Sequence, residues 1–209
     1  MLRLTLRLTA LLTLIGGSLL TLIYAQPYDA PDIRALIESP GCPDPCWQGL
    51  QPAVTTGAQA EAVLGEHPWV DARIGSRRLG NGWIEYAWWW SGAQPPSVAA
   101  DEPGSTLVID DRVDTVRVLT TLQLGDLWVQ LGPPSNGAVF SLGGRPNWQH
   151  LAYPEVGVLF QAPLRCQQFW AQPVRLLLNG GAIHATELPD PYDLRAMRAL
   201  ACRWDRWGR

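Results

Sequence analysis

The chain has 209 residues, is 47% hydrophobic and 17% charged, and carries a formal net charge of −3 with eleven Trp and four Cys. That balance excludes a disordered segment, which would be poorer in apolar residues and richer in charge. A net negative chain also excludes nucleic acid as the expected partner, because such binding rests on cations facing phosphate. All sixteen basic residues are Arg, so motifs built on a lysine, such as the phosphate loop and the Ser-x-x-Lys pair, are excluded as well.

In chain order, Arg3 and Arg7 precede an almost unbroken apolar run from Leu8 to Tyr24. This is the pattern of an export signal. The run of about seventeen residues falls between a secretory core of roughly 7–15 and a spanning helix of roughly 17–25. Cleavage after Ala25, at Ile23-Tyr24-Ala25, and retention as a membrane anchor therefore both stay open. The arginines on one flank and Asp29 and Asp32 on the other keep the N-terminus inside. No lipobox is present, since the first cysteine, Cys42, lies far beyond the run and follows Glu38-Ser39-Pro40-Gly41. The remainder is expected outside the cytoplasmic membrane, secreted or anchored, where thiols oxidise.

Four cysteines in an exported chain read as two disulfides with three possible connectivities. Cys42 and Cys46 frame Cys-Pro-Asp-Pro-Cys, whose prolines favour a tight non-helical bend. A local bridge is feasible there. Cys166 and Cys202 would then pair, tying the C-terminal segment back and closing a loop of about 37 residues worth roughly 3–4 kcal/mol. Zinc on Cys42, Cys46 and a histidine is the functional competitor, against which stand a three-residue spacer less usual than two and the lack of a second ligand pair. A redox-active pair competes too, but the motif is Cys-x-x-x-Cys rather than Cys-x-x-Cys.

An internal repeat organises the middle. Thr55-Thr56-Gly57 through Leu64-Gly65 reads as a short helix with a threonine cap and a glycine stop, and Pro68 follows. Leu124-Gly125 through Leu131-Gly132-Pro133-Pro134 repeats the formula. Strands are predicted after the first at 83–90, 105–109 and 113–120, with a turn at Asp110-Asp111-Arg112. After the second they are predicted at 138–142, 148–153, 157–161 and 174–178. The expected fold is therefore α+β, with two similar halves, each a short helix followed by an antiparallel meander. The expected segments are a signal or anchor over 1–25, a Cys-Pro-rich lead-in over 26–54, the two units over 55–120 and 121–180, and a disulfide-tied C-terminal segment over 181–209.

Gly125 to Pro134 with Tyr153-Pro154-Glu155-Val156-Gly157, and Thr55 to Gly65 with Val108 to Val118, resemble the SmpA/OmlA (BamE-like) fold of small envelope proteins and the related beta-lactamase-inhibitor-like modules. The start Cys42-Pro43-Asp44-Pro45-Cys46-Trp47 is also similar to that of other exported bacterial proteins. The resemblance implies a binding scaffold without catalytic residues. The chain departs from that family in lacking its lipobox cysteine, in carrying the unit twice and in adding a C-terminal segment framed by cysteines.

Alternation along Trp83-Ile84-Glu85-Tyr86-Ala87-Trp88-Trp89-Trp90 puts Ile84, Tyr86, Trp88 and Trp90 on one face, expected to be core. Trp83, Glu85 and Trp89 fall on the other around the small Ala87. That second face is the candidate binding surface, because an indole offers a large apolar plane for a sugar ring or a partner side chain. The bland alternative is that the Ser91–Gly104 loop covers it. Catalytic signals are thin: His67, His150 and His184 are dispersed, no metal-ligand spacing is present, and neither cofactor nor catalytic residues are expected. A site built from Asp126, Glu155 or His150 would make the chain a secreted or wall-active hydrolase. The favoured reading is a non-enzymatic scaffold binding an envelope protein or polysaccharide, touching the membrane through its N-terminal segment.

Overall fold

The computed structural model describes residues 2–25, 31–39, 41–43, 45–142, 145–179 and 193–207. The chain divides into two units, Met1–Ala30 and Pro31–Arg209. The first holds helix α1, Leu2–Ala25. Leu8, Leu11, Leu12, Leu14, Leu19 and Leu22 are exposed, and the hydroxyls of Thr13 and Thr21 donate to the carbonyls of Thr9 and Gly17 one turn back. That back-bonding hides the polar groups of an otherwise apolar helix. Among the described residues no helix is long and apolar enough to cross a membrane, so the anchor expected over 1–25 is not established by the fold.

The second unit is built on one antiparallel sheet of eight strands in the order β1-β2-β3-β4-β8-β7-β6-β5. These are β1 (Val70–Arg78), β2 (Ile84–Trp90), β3 (Gly104–Ile109), β4 (Arg112–Gln123), β5 (Asn136–Leu142), β6 (Arg145–Tyr153), β7 (Val158–Pro163) and β8 (Pro173–Asn179). Helix α3 (Gly57–Glu66) precedes the first four strands and α4 (Leu124–Leu131) the last four. Each run of four is a meander, and the two meet where the final strands β4 and β8 pair.

Local chemistry fixes the elements. Thr56 and Gln59 form a reciprocal capping box at the start of α3: the Gln59 N–H donates to the Thr56 hydroxyl, and the Thr56 N–H to the Gln59 side chain. At α4 the Gln123 N–H donates to the Asp126 carboxylate, and Gly132, at φ +76°, ends the helix with a backbone bond to Trp128. Asp110 and Asp111 both take positive φ, the requirement of a two-residue turn whose twist matches the strands it joins.

Side chains divide by parity. Tyr86, Trp88 and Trp90 of β2, Val116 and Val118 of β4, Leu176 and Leu178 of β8, Phe160 of β7 and Leu151 of β6 are buried on one face. Helix α3 lies against that face, since a Cβ on Gly57 would touch Val108 and the Tyr86 hydroxyl. Two corrections concern elements. The strand β1 was not expected, so the first meander has four strands rather than three. The stretch 26–54 is more than a lead-in: helix α2 (Pro31–Ile37) buries Ile33, Leu36 and Ile37, and Trp47 and Leu50 are fully buried. The Ser97 hydroxyl bonds the Asp32 carbonyl and ties α2 to the body.

Candidate functional site

On the other face of the sheet, β2 presents Glu85, Ala87 and Trp89, with Trp83 just before the strand. Trp89 is 47% exposed and Trp83 37%, whereas Trp88 between them in sequence is wholly buried. The loop after β2 runs along β4, where the Ala99 N–H donates to the Leu119 carbonyl and the Thr121 N–H to the Ser97 carbonyl. Glu85 faces Arg77 across β1 and β2, with an Nη2–Oε2 distance of 2.6 Å. An exposed pair of this kind adds little to stability, about 0–1 kcal/mol, but it holds both side chains flat on the sheet. Ala87 stands opposite Gly75 on one side and Ser105 on the other. Small side chains thus floor the space between the Trp89 indole and the Arg77–Glu85 pair.

Across the β4–β8 seam the same face changes character. Leu177, Leu159 and Ala152 lie directly opposite one another on β8, β7 and β6 and form a buried apolar patch. Beside them, Arg175, Gln161 and His150 form a polar row. Gln161 Nε2 lies 3.2 Å from His150 Nε2, so the amide donates and that ring nitrogen accepts. Burial lowers the His150 pKa from 6.5 to about 4, which keeps the ring neutral at physiological pH. The Arg175 guanidinium stacks over the Trp148 ring at 4.6 Å from its centroid. Desolvation, and then the charge of Arg117, lower the Arg175 pKa against the pull of Glu102.

The other residues singled out from sequence have separate tasks. Cys42 is bonded to Cys46 and Cys166 to Cys202, and no cysteine is free. His67 accepts from the Trp69 N–H at Nδ1 and faces the Gln48 amide oxygen through Nε2, so it is neutral and structural. It belongs to an aromatic cluster with Trp47, Trp69, Trp88 and Trp90. Asp126 caps α4. Glu155 accepts the Ser135 hydroxyl at 2.6 Å, a bond that holds its carboxyl below the ordinary range. Asp126, Glu155 and His150 are thus each engaged with a different partner, and His184 lies outside the described residues. Among the described residues no three His, Cys, Asp or Glu side chains group to hold a metal ion.

Sequence reasoning missed Arg77, Arg117 and Arg175 as members of this face. Parity within the strands expected at 113–120 and 174–178 would have placed Arg117 and Arg175 there, but Arg77 lies on the unexpected β1, and the order of the strands, which brings β4 beside β8, is not readable from parity. No family model, curated protein or solved structure matches the chain.

Proposed function

We propose that this is an exported, non-enzymatic binding protein of the bacterial cell envelope, and that its contact surface is the open sheet face around Trp83, Glu85 and Trp89. The observation that carries the reading is the 47% exposure of Trp89 on a strand whose opposite side already supplies the core. Placing an indole in water is unfavourable, and such residues concentrate at contact surfaces. The two disulfides support an oxidising compartment, and the apolar α1 behind Arg3 and Arg7 supports export.

The proposal includes a duplicated unit with the SmpA/OmlA-like plan. In support, a helix precedes four meandering strands twice. Gly57, Ala60 and Leu64 of α3 also have the same spacing as Leu124, Leu127 and Leu131 of α4. The hydrolase reading finds less support, since Asp126 caps α4, Glu155 accepts from Ser135 and His150 lies against the Gln161 amide, each with a different partner.

Immobilised full-length protein tests the reading against separated envelope proteins and polysaccharides. Trp89→Ala is expected to lose the retained material, whereas Val129→Ala, which removes another exposed apolar side chain, should not. Equal retention by wild type and Trp89→Ala would sink the proposal.

A further inference from the structure

Arg117 of β4, exposed, and Arg175 of β8, half-buried, stand on this face on either side of the seam between the two meanders. Arg117 is opposite Leu177 and Arg175 opposite Leu119, so the two arginines are diagonal neighbours, a relationship that spans about 7–8 Å. Arg175 is held by its stack on Trp148, which fixes the plane of its guanidinium. Among the described residues neither guanidinium forms an ion pair. Arg175 is partly desolvated, and the charge of Arg117 lowers its pKa further against the pull of Glu102; a bound anion would relieve the repulsion between the two guanidinium groups. From Arg117 the row runs through Ser105 and Ala87 to Gly75, all small residues, and Trp89 projects beside Ala87.

We propose that Arg117 and Arg175 bind the carboxylates of an acidic polysaccharide, a chain of uronate sugars whose rings lie across Ser105 and Ala87 against the Trp89 indole. This assignment rests on the binding-protein reading above and gives it a ligand class. A carboxylate matches the planar fork of a guanidinium with two parallel N–H···O bonds. The indole face stacks on the apolar face of a pyranose ring, and the small residues between leave the floor low enough for the chain to pass. An acidic protein would also bring carboxylates, but a docked protein needs an apolar centre to its contact. Between Arg117 and Gly75 the row offers only Ser105 and Ala87, and the exposed indoles of Trp83 and Trp89 flank that row rather than fill it.

Affinity electrophoresis of the full chain through gels containing polygalacturonate, dextran or poly-glutamate provides the test. Polygalacturonate should retard the protein, more weakly as salt is raised, and dextran should not. Arg117→Gln, at an exposed position, should weaken retardation about tenfold or more with an unchanged melting temperature. Arg175→Lys should weaken it too, since it keeps the charge and loses the fork. The assignment fails if wild type is not retarded by polygalacturonate, or if Arg117→Gln and Arg175→Lys are retarded as strongly as wild type. Retardation by poly-glutamate and not by polygalacturonate would overturn the polysaccharide and assign the face to an acidic protein. Equal retardation by dextran and polygalacturonate, lost in Trp89→Ala, would overturn the anion site while leaving the binding-protein reading standing.

Discussion

Gly104 lies flat against the Trp88 indole: a Cβ placed on Gly104 would sit 2.3 Å from Cε2 and 2.6 Å from Nε1 of that ring. The two residues are opposite one another on β3 and β2, and Trp88 stacks on Trp47 on its other side, with ring centroids 5.7 Å apart. The indole is therefore held between a bare backbone and a second indole, with no slack. Gly104→Ala should cost about 1–3 kcal/mol by overpacking. Urea denaturation reads this as a lower midpoint at unchanged slope. A neutral effect would mean that Trp88 can shift, and the aromatic cluster would not be the rigid body described above.

The fold should weaken in mild acid. Histidine ordinarily titrates at 6.5 and His150 in the folded protein at about 4; His67 is also lowered by burial. Between those limits the unfolded chain binds more protons than the folded one, so stability is complete above pH 6.5 and falls as pH drops toward 4. His150→Gln should reduce the loss between pH 7 and pH 5, measured by denaturation at both. An undiminished loss would place the acid sensitivity elsewhere.

How much of this was legible follows from particular residues. The threonine cap of α3, the turn at Asp110-Asp111 and the parity of β2 are local patterns, and the fold reproduces them. The strand β1 was missed because Val70–Arg78 carries Asp71, three arginines and Gly75, the composition of an edge strand that needs no second apolar face. Helix α2 was missed because Pro31–Ile37 has only seven residues, too few to show a period. The pairing of β4 with β8, which brings Arg117 and Arg175 onto one surface, depends on contacts across some sixty residues that no local rule encodes.

The two helices should respond unequally to the same truncation. Leu64 of α3 is buried, as is Leu127 of α4, whereas Leu131, one turn later, is only half-buried. Leu64→Ala and Leu127→Ala should each cost about 2–5 kcal/mol, and Leu131→Ala less. Equal losses at Leu64 and Leu131 would show that the two core positions are equivalent despite their exposure.

Each disulfide should contribute according to the chain it closes. Mass spectrometry of unreduced, alkylated protein is expected to find no free thiol. Replacing Cys166 and Cys202 by Ser should cost roughly 3–4 kcal/mol, and replacing Cys42 and Cys46 about 2, on the loop-entropy account. Four alkylatable thiols in protein prepared without reductant would contradict the pairing.

Trp88 and Trp89 are adjacent in sequence and opposite in situation, and this contrast bears most directly on function. Trp88 is packed between Trp47 and Gly104 with an edge contact to Trp90. Its truncation to Ala removes a fully buried indole and leaves a cavity, with an expected loss of about 3–5 kcal/mol. Trp89 projects from the other face, so Trp89→Ala should change stability by no more than about 0.5 kcal/mol. Thermal denaturation of the two variants side by side reads both. If Trp89→Ala falls as far as Trp88→Ala, the second face of β2 is core, Trp89 is spent on stability, and the binding surface lies elsewhere. If only Trp88→Ala falls, the strand holds an indole that folding does not need, and a loss of polymer or partner retention in Trp89→Ala cannot be ascribed to unfolding.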